Sequence, residues 1–600
     1  MRIGSDTGGT FTDLVTDDGR VLKVPSTPDD PGRAVREGIA ALGAGGVTVL
    51  AHGTTVATNA LLERKGAVVA LVTTEGLADV IEIARQDRPS LYDPTVDRPE
   101  PLVPRHLRFE VRERLGAHGE VLVPLDPSSL PSDAQLAGVE AIAVCLLHAD
   151  LQPAHEREVA RLLVDRGFDV TCSHEISPEF REYERTVTTV ANAYLRPACR
   201  RYLRGLLDAA GRVLVMTSAG GLVPAEQAAE RPASLLLSGP AGGVAAGAAV
   251  AVANGFPDAV TFDMGGTSTD VCLVRGGRPE PAAEREVAGL PVRLPSLDVH
   301  TIGAGGGSIA RIDAGGALVV GPQSAGALPG PACYGRGGTE PTVTDANLVA
   351  GRIPLDAPFP GLGTLEVDLA RRALDRAGVD ADGVLAVVNA NMVQALRKVS
   401  VERGVDPRGL ALVAFGGAGP LHACDLADAL GMRCVIVPAR AGVLSAAGIL
   451  CAPEQRDLVR SWPTPTDHEG LAAAREALAA AACAALGGGD GDVEVETWLD
   501  CRYEGQSHEL RVASVESFHD EHRRHNGYDR PGHPVEVIAA RATARRQPPV
   551  TLADLPPVER ARVTGPVVVA EPDCTIWVPA GWRAEPGEVG ALVLRRVGDR

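Results

Sequence analysis

One octapeptide occurs twice in this chain and restricts the folds open to it. Asp6-Thr7-Gly8-Gly9-Thr10-Phe11-Thr12-Asp13 returns near mid-chain as Asp263-Met264-Gly265-Gly266-Thr267-Ser268-Thr269-Asp270, with six of the eight positions identical. The surroundings match too. Short apolar runs precede both copies (Arg2 to Ser5, Ala259 to Phe262), and Leu14-Val15 and Val271 to Val274 follow them, each leading to a glycine-containing turn. That pattern predicts strand, glycine hairpin, strand, turn in both places. A supersecondary unit repeated at this separation points to two related α/β domains in tandem.

The rest of the chain alternates in the same way. Pro31 to Leu42, Ala57 to Lys65, Pro153 to Arg166 and the longer Pro178 to Leu207 read as helices, and Val47 to Ala51, Ala67 to Thr73 and Ala141 to Leu147 as buried strands. Further on, a helix near Val384 to Glu402 and strands Ala411 to Phe415 and Cys434 to Val437 are predicted. An alanine-rich helix, Leu471 to Leu486, ends at a glycine triplet, and strand-like and turn-like sequence follows, punctuated by Pro548-Pro549 and Pro556-Pro557. The expected division is 1–210, 211–460 and a C-terminal β-rich unit, 461–600.

With 58 Lys and Arg against 77 Asp and Glu the net charge is −19, which repels nucleic acid and anionic membranes. No apolar run is long enough for a bilayer span and Met1-Arg2 leads straight into a strand-like segment, so the expected location is the cytoplasm. The 11 cysteines show no C-x-x-C spacing and read as buried free thiols. Glycine, at 68 of 600 residues, is in excess and asks for a use.

The two hairpins supply one. Paired glycines let the backbone approach a ligand with no Cβ in the way, and their amides can converge on one anion. Thr7, Thr10 and Thr12, with Thr267 and Thr269, offer hydroxyls beside Gly8, Gly9, Gly265 and Gly266. Asp6 and Asp263 would oppose a triphosphate unless a cation intervened, so their expected role is to hold Mg2+ through water. A plain turn needs neither the threonines nor the second aspartate, and no G-x-x-x-x-G-K-[ST] motif is present.

Two such hairpins resemble those of the actin, sugar-kinase and heat-shock-chaperone ATPase superfamily. Phe415-Gly416-Gly417-Ala418-Gly419-Pro420 resembles its adenosine-binding glycine turn. His52-Gly53-Thr54-Thr55, Ser238-Gly239-Pro240-Ala241-Gly242-Gly243, Gly303-Ala304-Gly305-Gly306-Gly307-Ser308, Gly330-Pro331-Ala332-Cys333-Tyr334-Gly335 and Arg502-Tyr503-Glu504-Gly505-Gln506 are similar to the hydantoinase A, 5-oxoprolinase and acetone carboxylase β-subunit family. The resemblance implies two ribonuclease H-like ATPase domains plus a C-terminal β-rich part. It also implies an ATP-dependent hydrolase subunit that phosphorylates the carbonyl oxygen of a cyclic amide or imide and works with a hydantoinase B-type subunit in a hetero-oligomer. An ATP-dependent carboxylase subunit acting on a ketone is the alternative, and a chaperone-like ATP-switched binding protein a third. ATP and Mg2+ are the expected cofactors. The adenosine would lie on Gly416, Gly417 and Gly419, and Asp13 or Asp270 would orient the acceptor or water.

Four further features have competing readings. His52 is as well read as a structural histidine as a contact at the mouth of the cleft, and Ser308, with Gly305 and Gly306, either meets an anion or ends a tight turn. His519, His522 and His525 lack accompanying metal-ligand spacing and read as a solvated or interface helix. Cys333 reads as packing.

Overall fold

The computed structural model describes every residue except Thr10, 28–29, 44–45, 283, 356–362, 488–491 and 599–600. The expected phosphate contact from Thr10 therefore lies outside the described residues.

The repeat grows from eight residues into five strands. In the first half the spatial order is Val21–Pro25, Phe11–Thr16, Arg2–Thr7, Val49–Thr54, Arg212–Met216; in the second it is Arg278–Pro279, Thr269–Arg275, Ala259–Met264, Ala411–Phe415, Cys434–Val437. In both, the first three strands are antiparallel neighbours and the next two run parallel to the central one. The expected strands 411–415 and 434–437 form as read, and the predicted helix at 31–42 is Pro31–Ala41. The division placed at 210/211 falls just before Arg212–Met216, which still pairs with Val49–Thr54 in the first sheet.

The C-terminal sequence is β-rich, and its strands are shared between the halves. Val493–Tyr503, Leu510–Val512 and Val535–Arg546 extend the first sheet through Glu454–Ser461, whereas Leu592–Arg596, Trp582–Pro586 and Val563–Thr564 extend the second beyond Cys434–Val437. Pro548-Pro549 and Pro556-Pro557 lie in the connection between these groups, where a missing N–H costs no ladder bond. A buried ion network ties the added strands back: Arg541 bonds Asp500 at 2.6 Å and Glu179 at 2.5 Å, and Arg293 meets the same Glu179 at 3.1 Å.

Between the two sheets lie helices Gly239–Ala253 and Leu444–Leu450. The first carries no charged or strongly polar side chain, and most of it is buried, with Ala249, Val252 and Ala253 reaching the surface. Their packing depends on missing side chains. A Cβ on Gly448 would stand 2.0 Å from the Gly242 carbonyl oxygen, and one on Gly4 would stand 2.2 Å from that of Ala446. The helices thus press against each other and against strand Arg2–Thr7, which fixes the two hairpins across a common cleft. A smaller parallel sheet, Val170–Cys172, Ala141–Cys145, Val69–Thr74 and Arg108–Val111, lies apart from this arrangement.

All 11 cysteines are unpaired and nine are buried, in agreement with the packing role.

Candidate active site

The hairpins match in register as well as in sequence. Asp6 pairs with Asp13 and Asp263 with Asp270 across their strands, and each turn closes with the same bond, Gly8 N–H to the Phe11 carbonyl and Gly265 N–H to that of Ser268, both 3.0 Å. The turns project into one cleft of about 420 Å³ lined by Asp6, Gly8, Gly9 and Asp13 from one side and Asp263, Gly265, Gly266, Thr267 and Asp270 from the other. That volume suits a small-molecule ligand. A Cβ built on Gly9 or Gly266 meets nothing within 4 Å, and neither residue has a positive φ. The fold alone gives no reason for glycine there, and the space left bare is the cleft itself.

Electrostatics point the same way. Burial, then Asp13, pushes the Asp6 carboxyl up to about 7; burial pushes Asp270 up to about 6; burial, then Asp270 and Asp6, holds Asp263 well above the ordinary range. Asp6 and Asp263 are pushed further up by the neighbouring aspartates, Lys23 offsets this in part at Asp6, and the Ser445 hydroxyl does so at Asp263. The two second aspartates differ. Asp13 faces Lys23 directly across the strands, at 2.6 Å from its Nζ, whereas the residue facing Asp270 is Thr301, whose hydroxyl donates at 2.5 Å.

Two glycine loops back the second hairpin. Gly306 N–H donates to the Gly265 carbonyl at 3.0 Å and Gly307 N–H to that of Gly266 at 2.6 Å, an approach possible because a Cβ on Gly305 would lie 2.6 Å from the Gly266 backbone. The loop after strand Ala411–Phe415 turns at Gly416, φ +80°, where a Cβ would come within 2.3 Å of Asp263 Oδ1. Gly416 and Gly417 line the cleft, and Gly419 opens helix Gly419–Leu430 behind them.

The family model for hydantoinase/oxoprolinase matches residues 185–457, and that for the hydantoinase/oxoprolinase N-terminal region matches residues 2–167. The chain belongs to the hydantoinase/oxoprolinase family. Within this family it is 35% identical to caprolactamase subunit alpha of Pseudomonas jessenii over 97% of each chain, and 34% identical to 5-oxoprolinase 1 of Arabidopsis thaliana over 85% of its own length and 46% of that protein. The crystal structure of ATP-dependent caprolactamase from Pseudomonas jessenii superposes over the whole of both chains with TM-score 0.88 at 33% identity. The nucleotide-free structure of acetone carboxylase superposes over 100% of this chain and 99% of its own, with TM-score 0.77 at 25% identity. The fold is thus that of the actin-like ATPases to which these relatives belong, as the repeat indicates.

Several expected site residues of this hydantoinase/oxoprolinase chain stand elsewhere. Thr7, Thr12 and Thr269 are buried behind the turns, not in the cleft: Thr12 bonds Thr7 at 3.4 Å, and Thr269 gives its hydroxyl to the Ala304 carbonyl at 2.5 Å. Strand alternation is the reason, since the aspartates take the cleft-facing positions. Ser308 is fully buried and accepts the Gly305 N–H at 2.9 Å, so it braces a turn. His52 is fully buried between Ser5 Oγ and Tyr202 Oη, each at 2.7 Å, and burial pulls its imidazole down to about 3. It is a neutral structural group. The three C-terminal histidines do not converge. The helix they share is largely exposed, as expected; within it His522 is buried on the Tyr528 carbonyl and Gln506, while His519 meets Tyr503 and His525 meets Glu521.

The sequence reading missed Lys23, Thr301 and Asp573. The first two become visible only as cross-strand partners of the aspartates. Asp573 arrives in the C-terminal turn between Val567–Ala570 and Thr575–Val578, lines the cleft, and accepts the Gly442 N–H at 2.8 Å. Its neighbour Glu571 is held by Arg560 through two bonds of 2.7 and 2.6 Å and is not free to ligate a metal.

Proposed function

We propose that this chain is the nucleotide-hydrolysing subunit of an ATP-dependent ring-opening amidohydrolase. The observation that carries the reading is a pair of in-register glycine turns with nothing filling the space beside Gly9 and Gly266, in a fold that matches caprolactamase from end to end.

The turn amides would hold the phosphates, and Gly416 and Gly417 the adenosine, while Gly419, expected beside them, is buried at the helix start and lines no part of the cleft. Asp6 and Asp263 fit Mg2+: they are hard oxygen donors, from opposite walls, whose carboxyls stay raised by burial and by neighbouring aspartates despite Lys23 and Ser445. An ion there would neutralise phosphate charge during transfer. Asp13 is engaged by Lys23, so the base assigned is Asp270, free of an ion pair and near 6, therefore ionised at neutral pH. In this reading the carbonyl oxygen of a cyclic amide attacks the γ-phosphorus while Asp270 takes the ring N–H proton. ADP leaves as the O–P bond forms. Water then adds to the carbon of the resulting imidoyl phosphate, the ring nitrogen takes a proton and departs as the C–N bond breaks, and the ring-opened acyl phosphate is cleaved at carbon by a second water, so that phosphate leaves with the former carbonyl oxygen. A hydantoinase B-type partner completes the hydrolysis within a hetero-oligomer.

The carboxylase relative supplies a control for the test. The assembled complex is to be assayed for ATP consumption with lactams, hydantoins and ketones, with and without bicarbonate; ring-dependent and bicarbonate-independent turnover is expected. Turnover with a ketone that requires bicarbonate would move the chain to the carboxylases.

The metal assignment has its own signature. A carboxyl raised in the folded state stabilises the fold below the unfolded value near ~4 and loses that contribution as pH rises through the folded value. For Asp6 and Asp270 the loss runs from about pH 4 to about pH 7. The ligand-free protein should therefore be more stable at pH 5.5 than at pH 8, and the rise in Tm on adding Mg2+ should be larger at pH 8. Thermal unfolding at both pH values, with and without MgCl2, checks this.

A further inference from the structure

The cleft carries a charge pattern that bears on which ring it accepts. Six carboxylates line it, Asp6, Asp13, Asp263, Asp270, Glu571 and Asp573, and among the described lining residues Lys23 is the only Lys or Arg. Lys23 is not free. Its ammonium holds both oxygens of Asp13, at 2.6 and 2.8 Å, and lies 5.3 Å from the centre of the Phe11 ring. The segment 356–362, which follows the lining residues Ile353 and Pro354, contains no Lys or Arg.

The acceptor cannot avoid this field. In-line phosphoryl transfer requires its oxygen within about 3–3.5 Å of the γ-phosphorus, so the whole of a five- to seven-membered ring lies in or at the cleft at that step. A carboxylate on the ring would meet the triphosphate and the acids left over by Lys23, Arg560 and the metal, with no free Lys or Arg among the described lining residues to receive it, and desolvating an unpaired charge is costly.

Resting on the amidohydrolase reading above, we propose that the substrate is an uncharged cyclic amide, a lactam or hydantoin without a carboxylate, and that the cleft discriminates against the anionic ring of 5-oxoproline. Specificity here comes from an absent counter-charge as much as from any contact made.

The test uses the assembled complex and a matched set with one ring: 2-pyrrolidinone, 5-oxoproline, and 5-oxoprolinamide, which keeps the bulk of the substituent and removes its charge. kcat/KM from ATP consumption should be about thirtyfold or more higher for 2-pyrrolidinone and 5-oxoprolinamide than for 5-oxoproline, and the gap should narrow as salt rises. If the amide is rejected along with the acid, size and not charge sets the choice and the inference is overturned. Equal or preferred use of 5-oxoproline also overturns it, while leaving the amidohydrolase reading intact. Failure of all three, together with other uncharged lactams and hydantoins, would sink both. As an independent arm, Asp573→Asn removes one of the opposing charges while keeping an acceptor for the Gly442 N–H, and should raise the relative kcat/KM for 5-oxoproline. No change in that ratio would count against the charge account even if Asp573→Asn altered overall activity.

Discussion

Asp263→Asn should lower ATP-dependent turnover by about a thousandfold or more, while leaving the ligand-free protein at least as stable as the parent. The two halves of that expectation share one cause. Asp263 sits on the cleft wall with its carboxyl held well above the ordinary range by burial, Asp270 and Asp6. Removing the charge relieves a strain in the empty site. It also removes one of the two carboxylates proposed to hold the metal, and the phosphate charge then goes uncompensated when the bond to the leaving oxygen breaks. Steady-state ATP consumption and thermal unfolding, measured on the same preparation, check both. A loss of activity accompanied by a large fall in Tm would mean that Asp263 is a structural group.

Gly266→Val should abolish nucleotide binding, with affinity down by about a hundredfold or more, without disturbing the fold. The argument rests on an absence: a Cβ at Gly266 has no neighbour within 4 Å, and the residue's φ lies outside the left-handed region. Valine is therefore accommodated by the empty protein and fills the space meant for phosphate oxygens. Gly305→Ala is the contrasting case, because its Cβ would lie 2.6 Å from the Gly266 backbone and displace the turn. Calorimetric titration with ATP and Mg2+ separates them: Gly266→Val should keep its Tm and lose binding, whereas Gly305→Ala should lose both. Undiminished nucleotide affinity in Gly266→Val would remove the turn from the phosphate site.

What could be read before the structure follows from how each feature is encoded. The hairpins were legible because their chemistry lies within eight contiguous residues, and the duplication supplied its own control. The aspartates at Asp6 and Asp263 and the glycines beside them stand in the cleft as expected. The threonines were misplaced because the strand period of two sends Thr7, Thr12 and Thr269 to the face opposite the aspartates. His52 looked functional because it begins a glycine-threonine run, yet its partners Ser5 and Tyr202 come from a neighbouring strand and a distant helix. Lys23 and Asp573 carry no local pattern at all. One becomes visible through strand register, the other through a turn whose approach to Gly442 no stretch of sequence announces. The C-terminal strands were recognisable as strands, but their partition between two sheets depends on which open edges they meet.

The central claim is that this cleft transfers the γ-phosphoryl group of ATP to the carbonyl oxygen of a cyclic amide. It is tested most directly with 2-pyrrolidinone labelled with ¹⁸O in the carbonyl group, turned over by the complex in unlabelled water. One labelled oxygen should appear in each inorganic phosphate released, because after the C–N bond has opened the ring the acyl phosphate is cleaved between carbon and that oxygen. Phosphate without label, with the heavy oxygen retained in the ring-opened acid, would contradict the account.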